Sequence, residues 1–300
     1  MRRRRFFRNL FFVVFGLSGL AFLWGLFLWL SVPDVASLAG GFPERTSYMR
    51  LRAAGLERSA DSFRVEPTEV LTAAPLLACA MVKSEDLLFF DHGGINWHQH
   101  WWTLTTRFTL TGTSSLTQQL ARNLYLGPER TLSRKLREMF ITRELERALS
   151  KYRILELYLN VIEWGDGVWG AGPAARHYFD KSPGALDAFE ASFLSALTAA
   201  PRRPLEGRNL ERAEGVQRRV LMQLYSSGII DEAAWRHADT RAGSVFGCLR
   251  EKRPLAAAMA CTRAAARSEA PAPFVARRVE APLQDWLGQR CGLERELAEY

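Results

Sequence analysis

The chain has 300 residues, 48% hydrophobic and 24% charged, which is room for one large domain or two small ones and an ordinary globular balance with an apolar segment added. Its formal charge is +8, but Arg2, Arg3, Arg4, Arg5 and Arg8 supply five of those charges, so residues 9–300 carry only +3 and no nucleic-acid partner is indicated. The four cysteines, Cys79, Cys248, Cys261 and Cys291, show no paired CxxC spacing, so there is no zinc-site pattern either.

Residues 1–8 are a basic tail. Residues 9–32 carry no charge, and Leu10 to Leu30 is almost wholly apolar, enough at ~1.5 Å per residue to cross ~30 Å of hydrocarbon. Trp24 and Trp29 lie towards its far end, where indoles favour the interface. Arginines before the segment and Asp34 after it put the N-terminus in the cytoplasm and the remainder across the inner membrane. A cleaved signal peptide also begins basic, but its apolar core runs ~7–15 residues, and the greater length here favours a retained single-pass anchor. Residues 33–66 read as a connector with Pro33, Gly40-Gly41 and Pro43.

Pro75 is placed as a first-turn proline for an apolar helix to about Lys83, in which Cys79 reads as a core residue. Residues 91–113 read as a loop or flap bearing Trp97, Trp101 and Trp102; these tryptophans either meet the membrane interface or cap the core. Helical periodicity follows over Leu116–Leu124 and then over Ser133–Asn160, with Leu136, Phe140, Leu145, Leu149 and Leu155 on the apolar stripe. Gly165-Asp166-Gly167 breaks the chain, and helices resume at about Ala171–Tyr178, Ala188–Ala199 and 210–225, with Pro201 and Pro204 as punctuation. Strand-like alternation is almost absent, so the class is mainly α. The body divides into a domain over 67–225 and an extension over 226–300 whose role the sequence leaves open; part of it is Ala-, Arg- and Pro-rich. In an exported domain Cys248 and Cys261 could bridge, but spacing does not fix the partners.

Two runs 27 residues apart carry the chemistry. Glu85-Asp86-Leu87-Leu88-Phe89-Phe90-Asp91-His92-Gly93-Gly94 ends an apolar helix with adjacent carboxylates, then an aromatic, a histidine and a glycine turn. Gly112-Thr113-Ser114-Ser115-Leu116-Thr117-Gln118-Gln119-Leu120-Ala121-Arg122-Asn123 is a hydroxyl- and amide-rich loop entering a helix with a cation one turn on. A third run, Arg130 to Glu138, places Arg134, Arg137 and Glu138 at i, i+3 and i+4 on one helix face, with Arg130 a turn earlier. By spacing alone that face is either a solvated ion-pair ladder or an anion site. His92, with His98 and His100 nearby, is better read as a satisfied structural histidine than as a ligand, because no Cys or second carboxylate completes a zinc set.

These runs, with Ser150–Asn160 and Glu163–Phe179, occur in one order over about Leu76–Pro204 and resemble the five signatures of the family 51 glycosyltransferases, the polymerases of peptidoglycan glycan chains. No Ser-x-x-Lys or Lys-Thr-Gly is present, so the chain is most similar to the monofunctional biosynthetic transglycosylases rather than to bifunctional penicillin-binding proteins. The resemblance implies a lysozyme-like, mainly α glycosyltransferase domain behind one transmembrane helix. It also implies transfer of the growing chain from its lipid pyrophosphate to the 4-hydroxyl of lipid II, with inversion. Glu85 matches the base and Glu138 the second catalytic carboxylate. Arg122, Arg130, Arg134 and Arg137 match the cations around the donor pyrophosphate, and Ser114, Gln118 and Gln119 supply neutral hydrogen bonds. A divalent cation (Mg or Mn) held at Glu138 is the one cofactor implied, with no organic cofactor. The partners implied are lipid II, the lipid-linked glycan and the inner membrane, together with proteins of cell-wall synthesis or division. Two other readings are a glycosyltransferase-like scaffold without turnover and a lysozyme-like glycan hydrolase. The sequence departs from the family pattern at Arg122 (usually Lys), Thr113 (usually Gly), Ser115 (usually Thr) and Asn96 (commonly Asp).

Overall fold

The computed structural model describes residues 2–56, 63–69, 74–107 and 114–261, together with 287 and 291. Thr113 and most of the Ala- and Pro-rich tract beyond Cys261 lie outside the described residues. The fold is mainly α. Helix α1 (Arg2–Leu30) is long and apolar enough to cross a membrane, and its apolar side chains face outward on all sides except at Leu28. The expected connector carries a 3-10 turn (Ala36–Ala39) and helix α2 (Ser47–Gly55), capped by Thr46, whose side chain accepts from the Met49 N–H. Met49 and Ala53 are buried with Phe63 and Trp169 in a small satellite core.

Helix α3 (Pro75–Glu85) is the axis of the domain. Everything from Pro75 to Lys83 is buried, and this continuous burial explains an apolar run with no polar face. Against it pack α9 (Ala188–Leu197) and α10 (Gly207–Ser226). Residues 97–107, expected as part of a loop or flap, form α4 (Trp97–Arg107). Then come α5 (Leu116–Tyr125), α6 (Leu132–Ala148) and α7 (Lys151–Val161), which pack on one another. The periodicity over Ser133–Asn160 predicts one helix, whereas the structure has two. The stripe crosses the break unchanged, but the Ser150 side chain accepts from the Arg153 N–H and caps a new start. A short antiparallel hairpin, β1 (Glu163–Gly165) and β2 (Val168–Trp169), turns through Gly167 at φ +77°, and α8 (Ala171–Phe179) follows.

Beyond the domain, α11 (Glu232–Arg250) packs on α9 and α10, and α12 (Leu255–Met259) follows it. Cys248 pairs with Cys261, and Cys79 is not merely a core residue: it is bonded to Cys291. That bridge closes 212 residues of chain, so it should stabilise the folded state by roughly 2–5 kcal/mol. Cys79→Ala and Cys291→Ala should each lower the denaturation midpoint, and the double variant should lose little more than the worse single. Additive losses in chemical denaturation would mean that the two residues are not bonded.

Candidate active site

Glu85 is the last residue of α3. The next residue, Asp86, leaves helical conformation while its N–H still bonds the Val82 carbonyl at 3.0 Å. The buried Asp86 carboxylate accepts from His92 Nε2 (3.0 Å) and from the Leu116 N–H (3.0 Å) at the start of α5. His92 Nδ1 accepts from the Gly94 N–H at 3.1 Å, so its proton sits on Nε2, towards Asp86. His92 is therefore a structural histidine, satisfied on both nitrogens. Gly94 has φ +84°, and a Cβ there would come within 2.7 Å of Thr142 and Glu146 on α6; its carbonyl accepts from Ser115 Oγ. The helix end, the turn and the start of α5 are thereby locked together.

The lock brings Gln119 to Glu85. Gln119 Nε2 donates to Glu85 Oε2 at 2.9 Å, and the buried Tyr158 hydroxyl donates to Gln119 Oε1 at 2.9 Å, fixing which way the amide points. Burial, with the Glu85 charge adding to it, pushes the Tyr158 hydroxyl well above its ordinary pKa, so it remains a donor. Arg122 is near enough to Tyr158 to act in the opposite sense. On the other carboxylate oxygen, the Thr198 hydroxyl lies 3.1 Å from Glu85 Oε1 and 2.8 Å from the Ser195 carbonyl, so it shares its one proton between them. Arg212, on α10, also feels Glu85; burial pushes its guanidinium below the usual value while the Glu85 charge opposes that. A cavity of about 480 Å³ opens beside Glu85, with Lys83, His98, Trp102, Arg219 and Gln223 on its walls.

The cationic cluster lies on α6, beside the residues that lead into α5. Glu138 is buried, with Arg134 Nη1 2.6 Å from one carboxylate oxygen and Lys135 Nζ 2.5 Å from the other. Lys135 also reaches Ser114 Oγ at 3.4 Å. Ser114, Arg134 and Glu138 are thus brought together. Gln118 is not among them: it is buried, its Oε1 accepts from the Ser115 N–H, and it completes the capping box of α5, which leaves its side chain facing the helix end. Arg130 is exposed in the turn before α6. Arg137 points to a different neighbourhood, beside Leu28 and Pro33 at the end of the anchor. Both Glu138 oxygens are thus taken by side-chain cations. Among the described residues no three His, Cys, Asp or Glu side chains converge on a metal site.

Thr198, Lys135 and Arg212 are the contributors that sequence reasoning passed over. Lys135 had a signal, since it precedes Glu138 by three residues on a helix. Thr198 and Arg212 had none, because only tertiary packing brings α9 and α10 to the end of α3.

A model of the Transglycosylase family matches residues 31–225. The chain is 40% identical over 188 residues to a biosynthetic peptidoglycan transglycosylase of Laribacter hongkongensis, covering 59% of this chain and 82% of that protein. It is 36% identical over 195 residues to one of Nitrosospira multiformis, covering 62% and 84%. To one of Chromobacterium violaceum it is 42% identical over 151 residues, covering 49% and 65%.

The Tyr158–Gln119–Glu85 chain yields a direct test. Tyr158→Phe leaves the buried Gln119 oxygen without its donor, and a ~1–3 kcal/mol cost of that kind, expressed in the transition state, should lower turnover by about 5–150-fold. An unchanged turnover number for Tyr158→Phe would show that the amide needs no such anchor.

Proposed function

Because the chain belongs to the transglycosylase family, we propose that it polymerises glycan strands with Glu85 as the base. Glu85 takes the proton of the acceptor 4-hydroxyl as that oxygen attacks the anomeric carbon of the donor, whose lipid pyrophosphate departs. The observation that carries this assignment is the pair of donors on Glu85. Gln119 and Thr198 hold the carboxylate in one orientation beside an open cavity, which is what a base that must meet one hydroxyl requires. A single displacement inverts the anomeric centre. A pyrophosphate leaves as an anion, so it needs cations rather than a strong acid.

Arg134, Lys135 and Arg122 supply that charge, and Ser114 adds a hydroxyl. Glu138 acts as the positioning carboxylate that keeps Arg134 and Lys135 extended and aligned. Arg130 is free to swing onto the phosphates from its exposed turn. The cluster supports the polymerase over a glycan hydrolase, which would have no anionic leaving group to hold, and the hydrogen-bonded carboxylate supports turnover over a scaffold role. The arginines ahead of α1 and the two disulfides support a cytoplasmic N-terminus and an extracytoplasmic body at the inner membrane, since disulfides persist in oxidising compartments. The substrates are lipid II and the lipid-linked glycan, and proteins of wall synthesis or division would be met at the same membrane face.

Glu85→Gln preserves shape and hydrogen bonding but removes the base. Polymer formed from labelled lipid II, separated by size, should fall by ~10²–10⁴-fold while lipid II binding persists. Polymerisation at the wild-type rate would sink the assignment.

Trp97, Trp101 and Trp102 are 64%, 69% and 50% exposed, so they do not cap the core. They would sit in the interface where the lipid substrate arrives. Replacing Trp101 and Trp102 with Ala should raise KM for lipid II by ~3–10-fold, ~1 kcal/mol of lost contact, and leave the melting temperature nearly unchanged. A large drop in melting temperature with unaltered KM would reverse that reading.

A further inference from the structure

The join between anchor and domain holds a second cavity. Leu28 is 1% exposed although its neighbours Phe27, Trp29 and Leu30 stand in the open, and Val32 and Val35 continue the contact at near-helical spacing. Helix α1 is therefore seated on α6 rather than hung from a free tether. The seat is incomplete. Leu28, Ser31 and Val32 on one side and Leu126, Arg137 and Ile141 on the other line a half-open pocket of about 180 Å³, where a cavity of ~150 Å³ already accepts a six-carbon ring.

The walls are of two kinds. Leu28, Val32, Leu126 and Ile141 are hydrocarbon. Arg137 is a cation whose Nε is buried without a hydrogen-bond partner, and among the described residues it makes no ion pair. A partly buried guanidinium in that state calls for an anion. The Tyr125 hydroxyl, also at the cavity, is pushed above its ordinary pKa by burial and by nearby Asp34, so it stays neutral and able to donate. Position on α6 supplies the continuity: Arg137 and Ile141 lie one turn apart on one face, while Arg134 and Glu138 lie one turn apart on the adjacent face with Lys135 and Ser114. One helix thus walls both the cationic cluster and the cavity.

We propose that this cavity receives the lipid end of the donor: the isoprenyl carbons next to the pyrophosphate lie between the end of α1 and α6, and Arg137 pairs with the phosphate that bears them. The inference rests on the polymerase reading and deepens it, because it makes the anchor part of the substrate site. An amphiphile with a branched hydrocarbon joined directly to a phosphate matches both walls at once. A free phosphate leaves the hydrocarbon wall unmet, and a neutral lipid leaves Arg137 unmet.

The test uses the full chain in lipid vesicles with a lipid-linked glycan donor carrying a diazirine on the isoprenyl unit nearest the pyrophosphate, followed by peptide mapping after irradiation. Adducts are expected on Leu28–Pro33 and on the peptide containing Ile141, competed away by polyprenyl pyrophosphate but not by polyprenol. Val32→Trp and Ser31→Trp, which fill the cavity from the anchor side, should each cut these adducts about tenfold and raise KM for the lipid donor at near-normal kcat and melting temperature. Adducts confined to other segments while the protein polymerises would overturn the cavity assignment and leave the polymerase reading standing. Equal competition by polyprenol would overturn the role of Arg137. Failure of the wild-type protein to polymerise lipid II would overturn the functional reading, and the cavity assignment with it.

Discussion

One buried carboxylate, that of Asp86, holds the active centre in register. It accepts a histidine N–H and the first free backbone N–H of α5, so it neutralises a helix N-terminus while anchoring the turn that follows Glu85. A hydrogen bond to a charged group contributes ~1.5–3 kcal/mol, and two of them meet on one desolvated side chain. The consequence is geometric. The C-terminus of α3 and the N-terminus of α5 cannot slide past each other, and Gln119, one turn into α5, must lie against Glu85. Adjacent acidic residues in the sequence have thus been given different work by the helix boundary between them: one faces the cavity and the other is consumed by structure.

Helix α6 imposes the second constraint. Glu138 is buried and would be costly there alone, but Arg134 and Lys135 satisfy both its oxygens. Two cations on one anion leave net positive charge beside Ser114, with Arg122 on the neighbouring helix. A pyrophosphate entering this region would meet guanidinium and ammonium groups already extended and held, so little side-chain entropy remains to be lost on binding. Glu138 does not need to touch the reacting atoms to matter. In the proposed mechanism its effect runs through the cations that it positions.

Much of this was legible in the sequence where local rules govern. Pro75 marks a helix start, and the structure places it in the first turn of α3, whereas the caps Ser115, Thr131 and Ser150 were not marked in advance although each is a side chain of the capping type. Glu85, Gln119, Arg134 and Glu138 sit within or beside those same elements, so their grouping could be anticipated from the resemblance and from helical spacing. Non-local packing was not legible. Thr198 reaches Glu85 from 113 residues away and Tyr158 reaches Gln119 from 39, and nothing in either local sequence announces it. Gln118 shows the opposite failure: its residue type suits a substrate contact, but the capping box claims it first. Arg137 shares a heptad with Arg134 and Glu138, yet a 100° step per residue turns it towards the anchor. Pattern alone could not say that the anchor is there to meet it.

The extension beyond residue 225 is coupled to the same centre by two routes. Cys79, bonded to Cys291, lies six residues before Glu85 on α3, so the C-terminal segment is tied covalently to the helix that carries Glu85. Arg241 of α11 pairs with Asp187 and Glu190 in the capping box of α9, where Lys181 also reaches Glu190, and the Arg241 guanidinium stacks over Phe189. Helix α9 is short and almost wholly buried, so a displacement at its capped end must appear at the other end, where Thr198 touches Glu85. The extension therefore braces two of the three elements that meet at the carboxylate. Asp86 braces the third, α5, through the Leu116 N–H. Under the proposed mechanism, a Glu85 carboxylate fixed from three sides would need little reorganisation when the acceptor hydroxyl arrives, and a rigid α-helical frame would lower the barrier to transfer in that way.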